Sequence, residues 1–246
     1  AYATVATAPV DANLSGHAEA QAGVILAGLD QLWDDDREAY ALGYRGGELD
    51  TRLDSGTFAL VEALAAYDRI EALSDDAISR LKSHVETALD GLYREPIGGD
   101  DGIAGLIRFE DDTWRSAEQD SEKLWSVSTA WGAHAAAELS ALLDDHDKPD
   151  AADVFLRRAT GLYERLHIDG PFCTEAGYLA EQVFDDGTLD SATPLAWSHA
   201  MRLRLTGMLA ERDALPAPKP APSGPGSRPS WTTGEKYGIG TVADHD

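Results

Sequence analysis

The sequence predicts an all-α fold in which outer and inner helices alternate in a double-layered ring. Residues 17–212 read as helical, broken only by long connections rich in Gly and Asp. A unit of helix, long connection and second helix recurs three times. The second helix of each unit is Ala-rich and weakly polar, with small residues on several faces. Such a helix is buried on several sides, which suits an inner layer better than a solvent-facing one.

The first helix of each unit is expected over residues 17–33, 75–93 and 149–167. Leu32-Trp33, Leu92-Tyr93 and Leu162-Tyr163 mark their ends in phase. Each connection then carries a short apolar piece, expected to be extended: Ala41 to Arg45, Gly105 to Phe109, and Gly177 to Glu181. Three Asp-Ser pairs follow, Asp54-Ser55, Asp120-Ser121 and Asp190-Ser191. Either residue can accept an orphan backbone N–H, so each pair is expected to cap the helix after it. The second helices are expected from Phe58 to Tyr67, Leu124 to Leu143 and Leu195 to Leu209, and Thr129 to Glu138 is the clearest Ala-rich run. Connections this long, carrying aromatics and acids, are more often functional than ordinary turns.

The composition changes after residue 215. Pro216 to Ser230 holds six prolines and two glycines, which leaves no helix or strand and predicts an extended linker over 216–230. Residues 231–246 resume with Trp231, Tyr237 and β-branched residues, the expected first strand or turn of another domain; the alternative is a disordered tail, which rarely carries a Trp and a Tyr.

Charge narrows the function classes. The 246 residues include 28 Asp and 16 Glu against 15 Arg and 5 Lys, a net charge of −24. Nucleic-acid binding needs a basic patch and is excluded as a first expectation. Docking on an anionic membrane is disfavoured in the same way, and no apolar run reaches the ~18–20 residues that span a bilayer. A lone Cys173 rules out an internal disulfide. An acidic surface of this kind repels itself until salt screens it, which suggests a high-salt cytoplasm or a brine; the alternative is an ordinary acidic, soluble mesophile protein.

Glu181 is the carboxylate with the most suggestive setting. Tyr178, Leu179, Ala180, Val183 and Phe184 surround it in sequence, so it is expected to be partly desolvated, as suits a general base. The alternative is a solvated loop carboxylate. His84, His134 and His199 lack metal-ligand spacing and are expected to be satisfied structural histidines; no metal or cofactor is expected. No phosphate-cradling Gly loop and no nucleophile elbow appears.

Glu181-Gln182, followed by Asp190-Ser191-Ala192-Thr193-Pro194-Leu195-Ala196-Trp197-Ser198-His199, resembles the catalytic-base segment of glycoside hydrolase family 15. That family comprises glucoamylases, glucodextranases and some trehalases. Its pattern there is Gly-Tyr-(Leu/Ile)-Pro-Glu-Gln and a later Thr-Pro-Leu-x-Trp-(Ser/Ala)-His; Ala180 stands where the pattern has Pro. A second stretch, Arg108-Phe109-Glu110-Asp111-Asp112-Thr113-Trp114, resembles the family's Arg-Tyr-x-x-Asp-x-Tyr pocket segment.

The resemblance implies an (α/α)6 toroid, with residues 1–215 as its second half and three of its six helix pairs. It implies inverting, exo-acting hydrolysis of α-glucosidic bonds from non-reducing ends, with an α-glucan or oligosaccharide as substrate. Glu181 would be the general base. Gln182 would orient a sugar hydroxyl or a loop carbonyl. Ser191 would hydrogen-bond the base or, alternatively, only cap a helix. Arg108 and Asp112 would line the sugar pocket, or else pair as a loop salt bridge. Trp125 and Trp197 would face the sugar, or else pack in the core. The general acid would lie ahead of residue 1, which makes the missing half of the catalytic domain a partner and the isolated chain inactive. Residues 1–9 would end an inner helix, and 231–246 would open a β-sandwich-type domain. Trp33-Asp34-Asp35 is a rival source of the acid, weakened because Trp33 keeps phase with Tyr93 and Tyr163. A non-catalytic carbohydrate-binding or scaffold toroid, a degenerate tandem copy, is the competing reading, as is a trehalase or glucodextranase of the same family, with a helical-repeat interaction protein behind them.

Overall fold

The computed structural model describes residues 1–8, 11–94 and 103–216. The chain divides into one unit over Ala1–Pro216 and another over Ala217–Asp246. The expected linker beyond Pro216 and the expected strand over 231–246 lie outside the described residues.

The helices fall close to where the sequence places them. They are α1 (Tyr2–Thr7), α2 (Ala12–Leu29), α3 (Ala59–Asp68), α4 (Asp75–Leu92), α5 (Ser126–Asp145), α6 (Pro149–Arg165) and α7 (Ala196–Glu211). The all-α expectation is nevertheless overturned. The connections fold into small antiparallel sheets, so the described chain is a mixture of helix and strand and not a pure α-toroid. The strands are β1 (Trp33–Asp34), β2 (Ala39–Tyr40), β3 (Gly43–Arg45), β4 (Glu48–Asp50), β5 (Tyr93–Arg94), β6 (Gly105–Leu106), β7 (Leu124–Trp125), β8 (Gln182–Val183) and β9 (Leu189–Asp190). Two or three residues cannot display the period-2 alternation by which strands are read. Most of these pairs form hairpins or near-hairpins, but β7 pairs with β8 from a distant connection.

Local chemistry accounts for the helices. The Ser74 hydroxyl caps α4 by accepting from the Ala77 N–H at 3.2 Å, and Asp75 and Asp76 sit in the first turn, where the helix dipole favours negative charge. Its apolar stripe, Ile78, Leu81, Val85, Leu89 and Leu92, is buried at helical spacing. In α6, Pro149 occupies the first turn, and Ala152, Phe155, Ala159 and Leu162 form the buried face. No single stripe exists in α5, which is buried around most of its circumference, as its Ala-rich composition predicts. It packs against α3, α4, α6 and α7 and is the centre of the core.

Capping follows the expectation once and departs from it twice. Asp54 accepts from the Gly56 N–H at 2.7 Å and caps a 3-10 turn, Ser55–Phe58, which leads into α3. Ser121 instead donates to the Asp185 carboxylate, and α5 starts after Trp125 without a side-chain cap. Asp190 and Ser191 are likewise engaged elsewhere, and α7 starts after Leu195. The phase of Trp33 and Tyr93 also breaks at the third unit: those two open β1 and β5, while Tyr163 lies inside α6.

Two glycines let the connections approach α5. A Cβ on Gly105 would stand 2.7 Å from Phe172 Cζ and 3.0 Å from Thr129 Oγ1. In α5, a Cβ on Gly132 would collide with Leu106 and crowd Leu89 and Phe58. With both positions bare, β6 rests directly on the helix, and the Leu106 N–H donates to Thr129 Oγ1 at 3.0 Å.

Candidate functional site

Backbone pairing gathers residues far apart in the sequence. In the sheet β7-β8-β9, Trp125 pairs with Gln182 and Gln182 with Asp190. Isolated bridges continue the line, Ile107 to Leu124 and Asp54 to Phe109. All three long connections are therefore stitched together beside the starts of α3, α5 and α7.

Glu181 stands half-buried just ahead of β8. Its N–H donates to the Ala192 carbonyl at 3.0 Å, and its carbonyl accepts from the Ser126 N–H at 3.1 Å. Its carboxylate accepts from Ser191 Oγ and, at 3.4 Å, from the Ala192 N–H. Of the two expected roles for Ser191, the structure shows the bond to the carboxylate. Ser191 holds φ at +66°, a left-handed conformation uncommon for a residue with a Cβ, and that turn delivers its hydroxyl to Glu181. Asp190, one residue earlier, is ion-paired with Arg115, itself at φ +57°.

Arg108 and Asp112 form a two-point pair at 2.8 and 3.0 Å, and the Asp112 carboxylate is buried. The Arg108 guanidinium lies 4.4 Å from the Trp125 ring centroid and 4.6 Å from that of Phe109. Trp125 is thus a buried platform beneath Arg108. Trp197 is 56% exposed, with its ring edge-to-face on Trp131 at 4.9 Å between centroids. These two tryptophans take different parts, one under the arginine and one open to solvent. Gln182 is 1% exposed, and neither side-chain amide atom has a partner among the described residues.

The rival acids are occupied in a turn. Asp34 accepts the N–H groups of Asp36 and Arg37 at 2.9 and 3.2 Å, and Asp35 accepts from Trp33 Nε1 at 2.8 Å.

The histidines are less satisfied than expected. His84 Nδ1 accepts from the Tyr40 N–H at 3.2 Å, but Nε2 of both His84 and His134 lacks a partner among the described residues. His199 Nε2 accepts from the Leu179 N–H at 3.0 Å, and burial, followed by the nearby Arg202, lowers its pKa. Among the described residues, no group of three or more His, Cys, Asp or Glu side chains is placed to hold a metal ion. No described helix is long and apolar enough to cross a membrane.

Sequence reasoning missed Arg115, Trp131, Ser126 and Ser198. The last two had a visible signal, since Trp125-Ser126 and Trp197-Ser198 repeat one dipeptide at the starts of two helices. No family model, curated protein or solved structure matches the chain.

Proposed function

We propose that this chain carries the base side of the active site of an inverting, exo-acting α-glucosidase of the glucan 1,4-α-glucosidase type. The observation that carries the reading is Glu181, a half-buried carboxylate oriented by Ser191 Oγ at a point where three connections meet. The resemblance of the 177–199 segment to family 15 supplies the reaction class.

In this reading Glu181 accepts a proton from a water molecule that attacks the anomeric carbon. A second carboxylic acid protonates the departing glycosidic oxygen from the opposite face of the ring. Inversion needs the two carboxyl groups about 6.5–9.5 Å apart, which leaves room for the attacking water between Glu181 and the anomeric carbon. The resemblance assigns the acid to a Trp-Glu segment outside this sequence, in keeping with the engagement of Asp34 and Asp35 in a local turn. Arg108 binds the sugar through the N–H groups left on Nη1 and Nη2, since Nε and one Nη2 N–H serve Asp112. Trp197 offers an exposed aromatic face for the ring of a neighbouring sugar.

The test uses the full-length protein and maltotriose, with the anomer of released glucose followed by NMR. β-Glucose is the expected first product. Glu181→Gln keeps the shape and removes the base, so kcat falls by about 10²–10⁴-fold. Release of α-glucose, or an unchanged rate in the variant, overturns the assignment. Binding of maltotriose without turnover supports a carbohydrate-binding module in its place.

A further inference from the structure

The segment that presents Glu181 is held by more than its own sheet. Leu179 donates its N–H to His199 Nε2 and accepts from the Leu195 N–H at 2.9 Å. Ala180 donates to the Phe172 carbonyl at 3.0 Å, and its own carbonyl accepts from Ser126 Oγ. The Glu181 carbonyl accepts from the Ser126 N–H. One serine thus grips two successive carbonyls, one with its side chain and one with its backbone. Ser126 is the first residue of α5, so its N–H is one of the donors that a helix leaves unused at its start.

Ser198 completes the arrangement. Its Oγ lies 2.7 Å from Ser126 Oγ, and both side chains are fully buried. The single hydroxyl proton of Ser126 is spent on the Ala180 carbonyl, so Ser198 must be the donor between the two serines. The chain of bonds runs from α7 through α5 into the peptide that precedes the carboxylate.

We propose that Ser126 and Ser198 are positioning residues that hold the Glu181 peptide in place, Ser126 directly and Ser198 through Ser126. The role as an aid to catalysis rests on Glu181 being the base; the mechanical role does not. The two serines are ranked by this geometry. Removing the Ser126 hydroxyl strips a bond from the Ala180 carbonyl itself. Removing that of Ser198 leaves this bond intact and takes away only its supporting donor.

The experiment compares Ser126→Ala, Ser198→Ala and Ser198→Thr in the full-length protein, with Ser140→Ala as a control. Ser140 is equally buried and donates to the Ala152 carbonyl at 2.7 Å, away from this segment. Amide hydrogen exchange over residues 179–183 is read by mass spectrometry. The expected order of lost protection is Ser126→Ala, then Ser198→Ala, with Ser198→Thr near wild type and Ser140→Ala without effect there. Equal protection in all variants, or the same loss in Ser140→Ala, overturns the proposal. Kinetics on maltotriose then read the catalytic consequence. A carboxylate displaced by a fraction of an ångström to 1 Å predicts kcat lower by about 10- to 100-fold in Ser126→Ala with KM unchanged. Loosened exchange with unaltered kcat overturns the positioning of the base. A wild-type protein that hydrolyses no α-glucoside removes the glucosidase reading, and the exchange order still decides whether the serines hold the segment.

Discussion

Burial keeps His84 and His134 neutral, and each has a pKa pushed down to about 4. For His134 the Arg204 guanidinium adds to the effect. The Tyr40 N–H that points at His84 Nδ1 needs an unprotonated acceptor, so protonation would break that bond as well. The consequence for stability has a definite sign. An unfolded histidine titrates near 6.5, so between about 6.5 and 4 the unfolded chain binds protons that the folded chain refuses. Stability is therefore full above pH 6.5 and declines as pH falls through this window. At pH 5 the loss is on the order of 2 kcal/mol per histidine. Urea unfolding at pH 7.5, 6 and 5 should show this decline, and His134→Gln should flatten it by about half. A variant as pH-sensitive as the wild type would show that these imidazoles are not its source.

Among the elements, α5 decides how the others meet. Its small residues let β6, α3, α6 and α7 approach from several sides, and Gly132 is the tightest of these approaches. Gly132→Ala raises intrinsic helix propensity by about 1 kcal/mol. The added methyl has to displace Leu106, Leu89 and Phe58 at a cost of about 1–3 kcal/mol, so the net effect should be destabilising by up to about 2 kcal/mol. Chemical denaturation measures it, and a more stable variant would contradict the packing described. Burial of α5 was legible because alanine on every face leaves few alternatives. The bounds of α4 and α6 were legible from Ser74, Pro149 and their apolar stripes. The strands were legible only in part: the extended pieces expected at 41–45 and 105–109 contain β3 and β6, but the others are too short to carry a pattern, and β8 finds β7 across more than fifty residues. Two of the three Asp-Ser pairs read as caps because cap chemistry and ion-pair chemistry use the same residues. Glu181 was visible through its neighbours and its resemblance, whereas Arg115 and Trp131 act through partners, Asp190 and Trp197, that only the fold supplies.

For the molecule as a whole, the net charge of −24 sets up a self-repulsion spread over the surface. Ion pairs such as Arg37–Glu110, Arg158–Asp90 and Arg204–Glu62 use up much of the scarce basic charge and leave most acids without a cation. Raising KCl from 0.1 to 3 M shortens the screening length from about 10 Å to a few ångströms and should relieve that repulsion. We expect a gain of about 2 kcal/mol, or roughly 4–8 °C in Tm. A midpoint that stays flat or falls with salt would remove the salt-adapted reading of this surface. The stitching of the three connections has a kinetic meaning of its own. The line from Asp54 through Phe109, Leu124 and Gln182 to Asp190 joins residues spread over most of the described chain. Such contacts pay the entropy of closing large loops before they return any energy, whereas the helices can form from neighbours alone. The Glu181 carboxylate should therefore be among the last parts to reach its final geometry during refolding, and amide protection over residues 179–183 should recover after helical circular dichroism.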